Sequence, residues 1–477
     1  MPHPLLRALA RVRRLHPVKL LLGGYLSYML VGWALLSVPA AHAPDGEGPV
    51  RAIDHLFIAT SAMSTTGLAT LTVPTAYGFG GELVILLLIQ AGGIGYMTFG
   101  SFVVLAGRRR MSHFREDITR TAFALPEGFR PAAFVRDVVA FTLLVELAGA
   151  ALLFWAFREA GVAERAAAGG MGASWAGDAH VAWQAVFHSV SAFCTAGFSL
   201  FPDSLEAYRG NVWVNAIVSA LSLLGAIGFI VMSDLAGNLV GRRRRLSLTT
   251  KIILAVTFGV ILGGAALLFF GDAALAGMPG EQRLLVAWFQ SMTAATTVGF
   301  NTFPVASLGM PAVLVLFVVM VIGASPSGTG GGLKSTSVSA VAATLRCTLR
   351  GRRSVSLFGR TVPPARLQMA FSALAFYALT LLLGGFLLLV TETRPLAAEA
   401  LGGEVYPFED LLFECASALG TVGLSRGVTG DLTDLGKLVV TALMFIGRLG
   451  PLTFGLALFA GGGEAVPEAL VEEDLAI

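Results

Sequence analysis

The sequence predicts an all-α integral membrane protein built from four copies of one unit, with eight transmembrane helices and four re-entrant segments around a common axis. Three observations lead there. The 477 residues are 55% hydrophobic and only 13% charged, and a mean hydropathy of +0.75 lies outside the range of soluble domains. Eight apolar stretches are long enough to cross a bilayer, which takes about 20 residues. Four polar stretches of one pattern recur between them.

In chain order the apolar stretches are residues 19–40, 82–106, 136–158, 211–240, 250–270, 309–344, 367–392 and 435–461. Outer-membrane β-barrels lack such runs, so the architecture is helical. The connections set the orientation. Arg108, Arg109, Arg110, Arg115, Arg120, Arg130 and Arg136 crowd the second, Arg242 to Arg245 the fourth, and Arg346, Arg350, Arg352, Arg353, Arg360 and Arg366 the sixth. Acids dominate the alternate ones: Asp45, Glu47 and Asp54, then Glu159, Glu164 and Asp178, then Asp272 and Glu281, then Glu392, Glu399, Glu404 and Glu409. By the positive-inside rule both termini are cytoplasmic. The net charge of +3 is then a matter of topology, and no basic run is interleaved with aromatics, which argues against a nucleic-acid partner. Arg7, Arg11, Arg13, Arg14 and Lys19 precede an apolar run too long for a cleavable signal, so that run reads as a retained helix. Cys194, Cys347 and Cys415 are too far apart to imply a disulfide framework or a metal site.

Each pair of long stretches encloses a relative of one short sequence: "FIATSAMSTTGL" (57–68), "FHSVSAFCTAGF" (187–198), "FQSMTAATTVGF" (289–300) and "FECASALGTVGL" (413–424). All fit Phe, three residues, Ser or Thr, Ala, two residues, Thr, one residue, Gly, then Leu or Phe. The chain therefore divides into a basic N-terminus (1–18), repeat 1 (19–106), a basic loop (107–135), repeat 2 (136–240), a basic loop (241–249), repeat 3 (250–345), a basic loop (346–366), repeat 4 (367–461) and an acidic C-terminus (462–477).

The apolar piece before each Thr-x-Gly, such as 54–64 or 407–419, is too short to span the bilayer. A re-entrant helix remains, and irregular backbone at that depth survives only inside protein or against water. Glycine tolerates positive φ and lets four backbones approach one axis. A ring of carbonyls can there replace the water of a dehydrated cation, and the C-terminal ends of the short helices favour a cation in the same place. The candidate oxygens belong to Thr65, Thr66, Gly67 and Leu68; Thr195, Ala196, Gly197 and Phe198; Thr297, Val298, Gly299, Phe300 and Asn301; and Thr421, Val422, Gly423 and Leu424. The alternative is that threonine and glycine merely let transmembrane helices pack closely.

These residues resemble the Ktr/Trk/HKT superfamily of potassium transporters, most of all its Ktr-type membrane subunit. The resemblance covers nearly the whole chain, from "HPVKLLLGGYLSYMLVGWALLSVP" (16–39) to "MFIGRLGPLTFG" (444–455), and "SALGTVGLS" (417–425) and "FIGRLGP" (445–451) are its most specific pieces. It implies helix–pore helix–filter–helix repeats around a pseudo-fourfold pore, potassium held by the filter residues with sodium as the alternative, and potassium uptake across the bacterial inner membrane. It also implies a homodimer on a cytoplasmic ring of RCK-type nucleotide-binding regulatory subunits. The nucleotide would belong to that partner, and this chain would carry no cofactor. Trk-type relatives have an extra N-terminal hairpin, for which there is no room before residue 19, and some sodium-favouring plant relatives have Ser where Gly67 stands. Each filter here has one glycine in place of the double-glycine TVGYG of tetrameric channels, which implies fewer ordered ion sites.

The sixth stretch is interrupted by "GASPSGTGGGLKST" (323–336), whose five glycines and one proline will not hold a helix. A nucleotide-binding Walker loop needs Gly directly before Lys, where Leu333 stands. The resemblance implies an intramembrane gating loop below the filter, here Gly323, Ser325, Ser327, Gly328, Thr329, Gly330, Gly331, Gly332 and Lys334. Arg448 is the partner it implies, as electrostatic barrier and hydrogen-bond donor. A guanidinium inside a transmembrane helix costs about 2.5 to 3.5 kcal/mol on insertion scales, so it needs a pore or a partner. The alternative is a purely structural ion pair. One broken helix among the four that follow the filters is expected.

Glu146 reads first as a buried structural carboxylate and second as a coupling group, with Gln90 and Asp234 weaker candidates. His188 and Glu414 receive no chemistry. A proton-coupled secondary transporter of a small solute is the other function class, but four parallel repeats are not its usual plan. An enzyme would need clustered His, Asp or Cys, and the histidines are scattered.

Overall fold

In the computed structural model the chain is mostly helical, and the structure describes residues 17–44, 50–107, 131–162, 177–239, 241, 245–326, 328–352, 354–392 and 406–459. The N-terminal arginines, most of the first basic loop, Arg242 to Arg244, Ser327, Arg353 and the acidic C-terminus lie outside the described residues.

Repeat 1 comprises α1 (Pro17–Leu36), the short α2 (Ala52–Ser64) and α3 (Phe79–Gly107). Repeat 2 comprises α4 (Pro131–Glu159), the short α5 (Asp178–Phe193), α6 (Val212–Ile227) and α7 (Phe229–Leu239). Repeat 3 comprises α8 (Leu248–Gly271), the short α9 (Gly280–Thr296), α10 (Met310–Ile322) and α11 (Ser335–Leu349), followed by a two-residue hairpin of β1 (Ser356–Leu357) and β2 (Arg360–Thr361). Repeat 4 comprises α12 (Pro364–Glu392), the short α13 (Phe408–Gly420), α14 (Asp434–Leu449) and α15 (Pro451–Phe459).

The short helices are amphiphilic in charge along their length. Asp54, Asp178, Glu281, and Glu409 with Asp410 occupy their first turns, where carboxylates oppose the positive end of the helix dipole. Their other ends are wholly enclosed: Phe57, Phe187, Phe289 and Phe413, and Ala62, Ala192, Ala294 and Ala418, are all buried. Phe and Ala recur because each repeat must seat the same turn against the same neighbours.

The helix after each glycine stretch is where the repeats differ. α3 runs unbroken past Gly95, but α6 and α7 meet at 98° across Gly228, at φ 85°. α10 stops at Gly323, at φ 66°, and α14 stops at Gly450, at φ 81°. The expectation of one broken helix, in repeat 3, is thus corrected to three, and stretches 211–240 and 435–461 are each two helices. The breaks fall where aligned tetrads, "GAIG" (225–228), "MVIG" (320–323) and "GRLG" (447–450), end on the residue type that accepts positive φ; "GGIG" (92–95) ends likewise where α3 continues, so the glycine permits a break and does not compel one, while apolar neighbours keep hydropathy high. Among the described residues, Val135–Glu159, Leu248–Gly271 and Pro364–Glu392 are long and apolar enough to span a membrane unbroken.

Packing closes the units into a cycle. α3 packs on α5 of repeat 2, α6 on α9 of repeat 3, α10 on α13 of repeat 4, and α14 on α2 of repeat 1. The last step is sealed by Lys437, whose ammonium donates to Asp54 Oδ1 at 2.6 Å; both residues are buried. Removing one partner of such a pair costs about 3 to 5 kcal/mol because the other charge is left uncompensated. Asp54→Asn is therefore expected to lower the thermal midpoint of the purified protein markedly, and Asp54→Leu with Lys437→Met to recover most of the loss. A midpoint unchanged in Asp54→Asn would remove this pair from the account of ring closure.

Candidate functional site

Each short helix ends in one repeated piece of backbone. Thr65, Thr195, Thr297 and Thr421 take φ of 52°, 52°, 58° and 47°, in the left-handed region that β-branched residues avoid. The residue after each threonine donates its N–H back to the carbonyl of the matched Ser or Thr: Thr66 to Ser61 at 2.9 Å, Ala196 to Ser191 at 2.8 Å, Val298 to Thr293 at 3.0 Å and Val422 to Ser417 at 2.8 Å. The Ser61 and Ser417 hydroxyls accept from the N–H of Gly67 and Gly423, while Ser191 donates to the Phe198 carbonyl. Thus the conserved-looking Ser or Thr of the motif folds the chain back over the helix end.

Gly67, Gly197, Gly299 and Gly423 follow at φ 93°, 65°, 86° and 92°. A Cβ on Gly67 would strike the Ala196 carbonyl, one on Gly197 that of Val298, one on Gly299 that of Val422, and one on Gly423 that of Thr66, each well inside the 3.0 Å that real Cβ atoms keep. Every glycine therefore abuts the main chain of the next repeat, and the fourth abuts the first. The four stretches form a closed ring of backbone, with Leu68, Phe198, Phe300 and Leu424 buried as its side-chain anchors.

Asn301 is set apart from this ring. Its amide donates to Glu206 Oε1 at 2.7 Å, and its carbonyl accepts from Leu205 N at 3.0 Å, so it ties repeat 3 to the loop of repeat 2. Burial pushes the Glu206 carboxyl above its ordinary pKa, against the pull of the Asn301 amide.

Residues 323–334 lie directly against the ring. Gly331 N donates to Thr297 Oγ1 at 3.0 Å, Thr195 Oγ1 donates to Thr329 Oγ1 at 3.0 Å, and a Cβ on Gly331 would strike Thr421 Oγ1. Thr329 N bonds to the Gly225 carbonyl at 3.0 Å, and Ala324 N to that of Gly331 at 3.0 Å. Gly323 and Gly332 take positive φ and lie against each other; Gly328 lies against the Ala226 carbonyl and Gly330 against Ala324. Ser325 is buried. Two cations hold the loop: Lys334 Nζ donates to the Gly330 carbonyl at 2.7 Å, and the Arg448 guanidinium donates to the carbonyls of Thr329 and Gly92. The loop of repeat 3 is thereby fastened to α14 of repeat 4 and α3 of repeat 1. The hydroxyls of Thr65 and Thr421 are buried with no hydrogen-bond partner among the described residues.

The remaining polar residues brace this assembly. Glu146 accepts from Gln90 Nε2 at 2.9 Å and faces the Cys194 thiol. Asp234 accepts from Ser247 N and Thr250 Oγ1, fixing the start of α8. His188, Gln290 and Glu414 share one position, directly after the repeated Phe. Each reaches the segment beyond its glycine: His188 to Ser199 at 2.9 Å, Gln290 to the Phe303 carbonyl at 2.9 Å, and Glu414 to Ser425 at 2.8 Å. Sequence reasoning passed over this position because it reads Ile, His, Gln and Glu, though three polar residues at membrane depth in one register were a usable signal.

Because a left-handed residue costs an L-amino acid about 1 to 2 kcal/mol, and a side chain at Gly299 must also displace the Val422 carbonyl, Gly299→Ala is expected to lower the thermal midpoint. Gly271→Ala, at a site with open space, should leave it unchanged or raised. Equal midpoints for the two variants would refute the close backbone ring.

Comparison with known proteins follows the same outline. Residues 32–460 match the family described as TrkH, cation transport protein. The chain is 33% identical to the potassium/sodium uptake protein NtpJ of Enterococcus hirae, over 95% of this chain and 96% of that one. It is 31% identical to the Ktr system potassium uptake protein B of Bacillus subtilis, over 92% of each. Its fold resembles the crystal structure of the potassium transporter TrkH from Vibrio parahaemolyticus, with a TM-score of 0.66 at 19% identity, covering 92% of this chain and 85% of that one.

Proposed function

The chain belongs to the TrkH family of cation transport proteins, and on that premise we propose that it takes up potassium across the bacterial inner membrane through a pore at the glycine ring, with both termini cytoplasmic. The observation that carries this reading is the cyclic contact of Gly67, Gly197, Gly299 and Gly423 with the carbonyl of the next repeat. Four main chains held this close bring carbonyl oxygens from every repeat to one place, where they can stand in for the hydration shell of a cation. The unpartnered hydroxyls of Thr65 and Thr421 add oxygens of the same hardness. No proton transfer or bond cleavage is needed, so the protein is a transporter and not an enzyme.

Gating follows from the loop's position. Its main chain at Gly330 and Gly331 lies against Thr297 and Thr421, so an ion leaving the ring meets peptide in place of water. The loop must move for ions to pass. Arg448 and Lys334 oppose that movement by holding the carbonyls of Thr329 and Gly330, and both repel a cation in the path. Potassium is the transported ion by analogy with similar uptake proteins whose names carry it, with sodium as the co-substrate or alternative that the Enterococcus protein's name adds. A homodimer and a cytoplasmic RCK-type nucleotide-binding ring complete the proposal, the ring acting on the loop from the basic side.

Rubidium uptake into liposomes containing the purified protein tests this directly. Potassium should compete far better than sodium, and Gly299→Ser should weaken that preference; uptake indifferent to this substitution would sink the ring as a filter. Removing a charge-assisted hydrogen bond worth about 1.5 to 3 kcal/mol from the closed state shifts the open population roughly tenfold or more. Arg448→Ala is accordingly expected to raise uptake by that order, and unchanged uptake with unchanged gating would remove Arg448 from the gate.

A further inference from the structure

One end of α8, the length of α11 from Val338 onward and the β1–β2 hairpin line a cleft of about 450 Å³, which includes no residue of the ring or the loop. One wall is apolar, formed by Ala255 and Val256 of α8 with Phe358 of the hairpin. Arg346, Arg350 and Arg352 are also among its lining residues, and among the described residues no carboxylate forms an ion pair with any of them. Beside them α11 turns Leu345 and Leu349 outward, 60% and 78% exposed. Apolar and arginine side chains alternating at a helix end mark the level where hydrocarbon gives way to headgroups, since arginine stems can lie along tails while the charge reaches the interface.

We propose that this cleft binds an anionic phospholipid of the cytoplasmic leaflet, its phosphate held by Arg346, Arg350 and Arg352 and one acyl chain lying along α8. The proposal rests on the orientation given above, in which the connection between repeats 3 and 4 is cytoplasmic. Three observations select this occupant. A volume of about 450 Å³ suits a headgroup and the start of a chain, within the usual range of ligand sites. Planar guanidinium groups match phosphate oxygens in pairs. The apolar wall on α8 belongs to a helix long enough to span the membrane, so it continues into lipid. A second copy of the chain fits less well, because a two-fold interface here would set the same arginines near one another. The cleft runs along α11 from Val338, close to the loop, to Arg350, so an occupied cleft would steady the helix on which the loop is hung.

The test uses the full chain in nanodiscs of phosphatidylglycerol and phosphatidylcholine in equal amounts, with retained lipid counted by native mass spectrometry after mild detergent extraction. The wild type should retain phosphatidylglycerol several-fold over phosphatidylcholine, and the three arginines together should account for that preference. The triple change Arg346→Gln, Arg350→Gln and Arg352→Gln should bring retention to parity. Ala255→Trp, which fills the apolar wall and leaves the charges, should also reduce it, and this variant carries the test if the triple one does not fold. Parity in the wild type, or a preference that survives both variants, overturns the proposal. A preference that the triple change abolishes but Ala255→Trp leaves untouched also overturns it, since the arginines would then serve a free anion with no acyl chain along α8. Rubidium uptake by the same variants in liposomes of the same lipid composition keeps the two readings apart. Absent uptake with the lipid preference intact counts against the transport reading and leaves the lipid site standing, whereas intact uptake with no lipid preference counts against the lipid site alone.

Discussion

The contact on which the rest of the structure depends is that of each ring glycine with the carbonyl of the following repeat. Four backbones approach so closely that a methyl group fits at none of Gly67, Gly197, Gly299 and Gly423. Close approach of peptide groups in a membrane is tolerable only if every flanking N–H and C=O is satisfied. The repeated turn satisfies one donor of each stretch locally: the N–H after each threonine returns to the carbonyl of the matched Ser or Thr. The helices outside the ring, packed cyclically from α3 on α5 to α14 on α2, exist to hold these four short stretches at one spacing.

That spacing is maintained under strain. Thr65, Thr195, Thr297 and Thr421 all adopt positive φ, a conformation costing about 1 to 3 kcal/mol where it persists. Relaxation is opposed because the turn before each threonine is anchored by a fully buried Phe and Ala, and the turn after three of the four glycines by a brace. In repeats 2, 3 and 4 the brace is a polar side chain from the short helix, namely His188, Gln290 and Glu414. These contacts hold the ring from both sides in repeats 2, 3 and 4.

The parts legible in the sequence were those encoded within a few residues. Thr-x-Gly after a short apolar piece could be read four times over because the turn, its glycine and its anchors lie within twelve positions. The loop at 323–334 was legible through its density of glycine. The breaks at Gly228 and Gly450 were not, since "GAIG" and "GRLG" sit in stretches whose hydropathy stays high, and hydropathy reports burial and not helicity. The Gly92 carbonyl that accepts from Arg448 lies 356 residues away, and nothing local marks it. The bracing position escaped for the opposite reason, as its role is constant while its residue type changes with what it must reach.

Repetition in one chain also permits what repetition of identical subunits would forbid. The loop of repeat 3 touches Thr195 and Gly225 of repeat 2, Thr297 of its own repeat and Thr421 of repeat 4, and Arg448 carries its hold to Gly92 of repeat 1. One loop therefore engages all four units. Its glycines already lie against neighbouring atoms at Gly328, Gly330 and Gly331, so the space beneath the ring admits one such loop and not four. Likewise, the position of Arg448 is Gly93, Ala226 and Val321 in the other repeats, and four guanidinium groups there would repel one another and any cation. Near-fourfold repetition holds in the ring, and it is lost beside the ring, where one loop of repeat 3 and one guanidinium of repeat 4 stand in place of four equivalents.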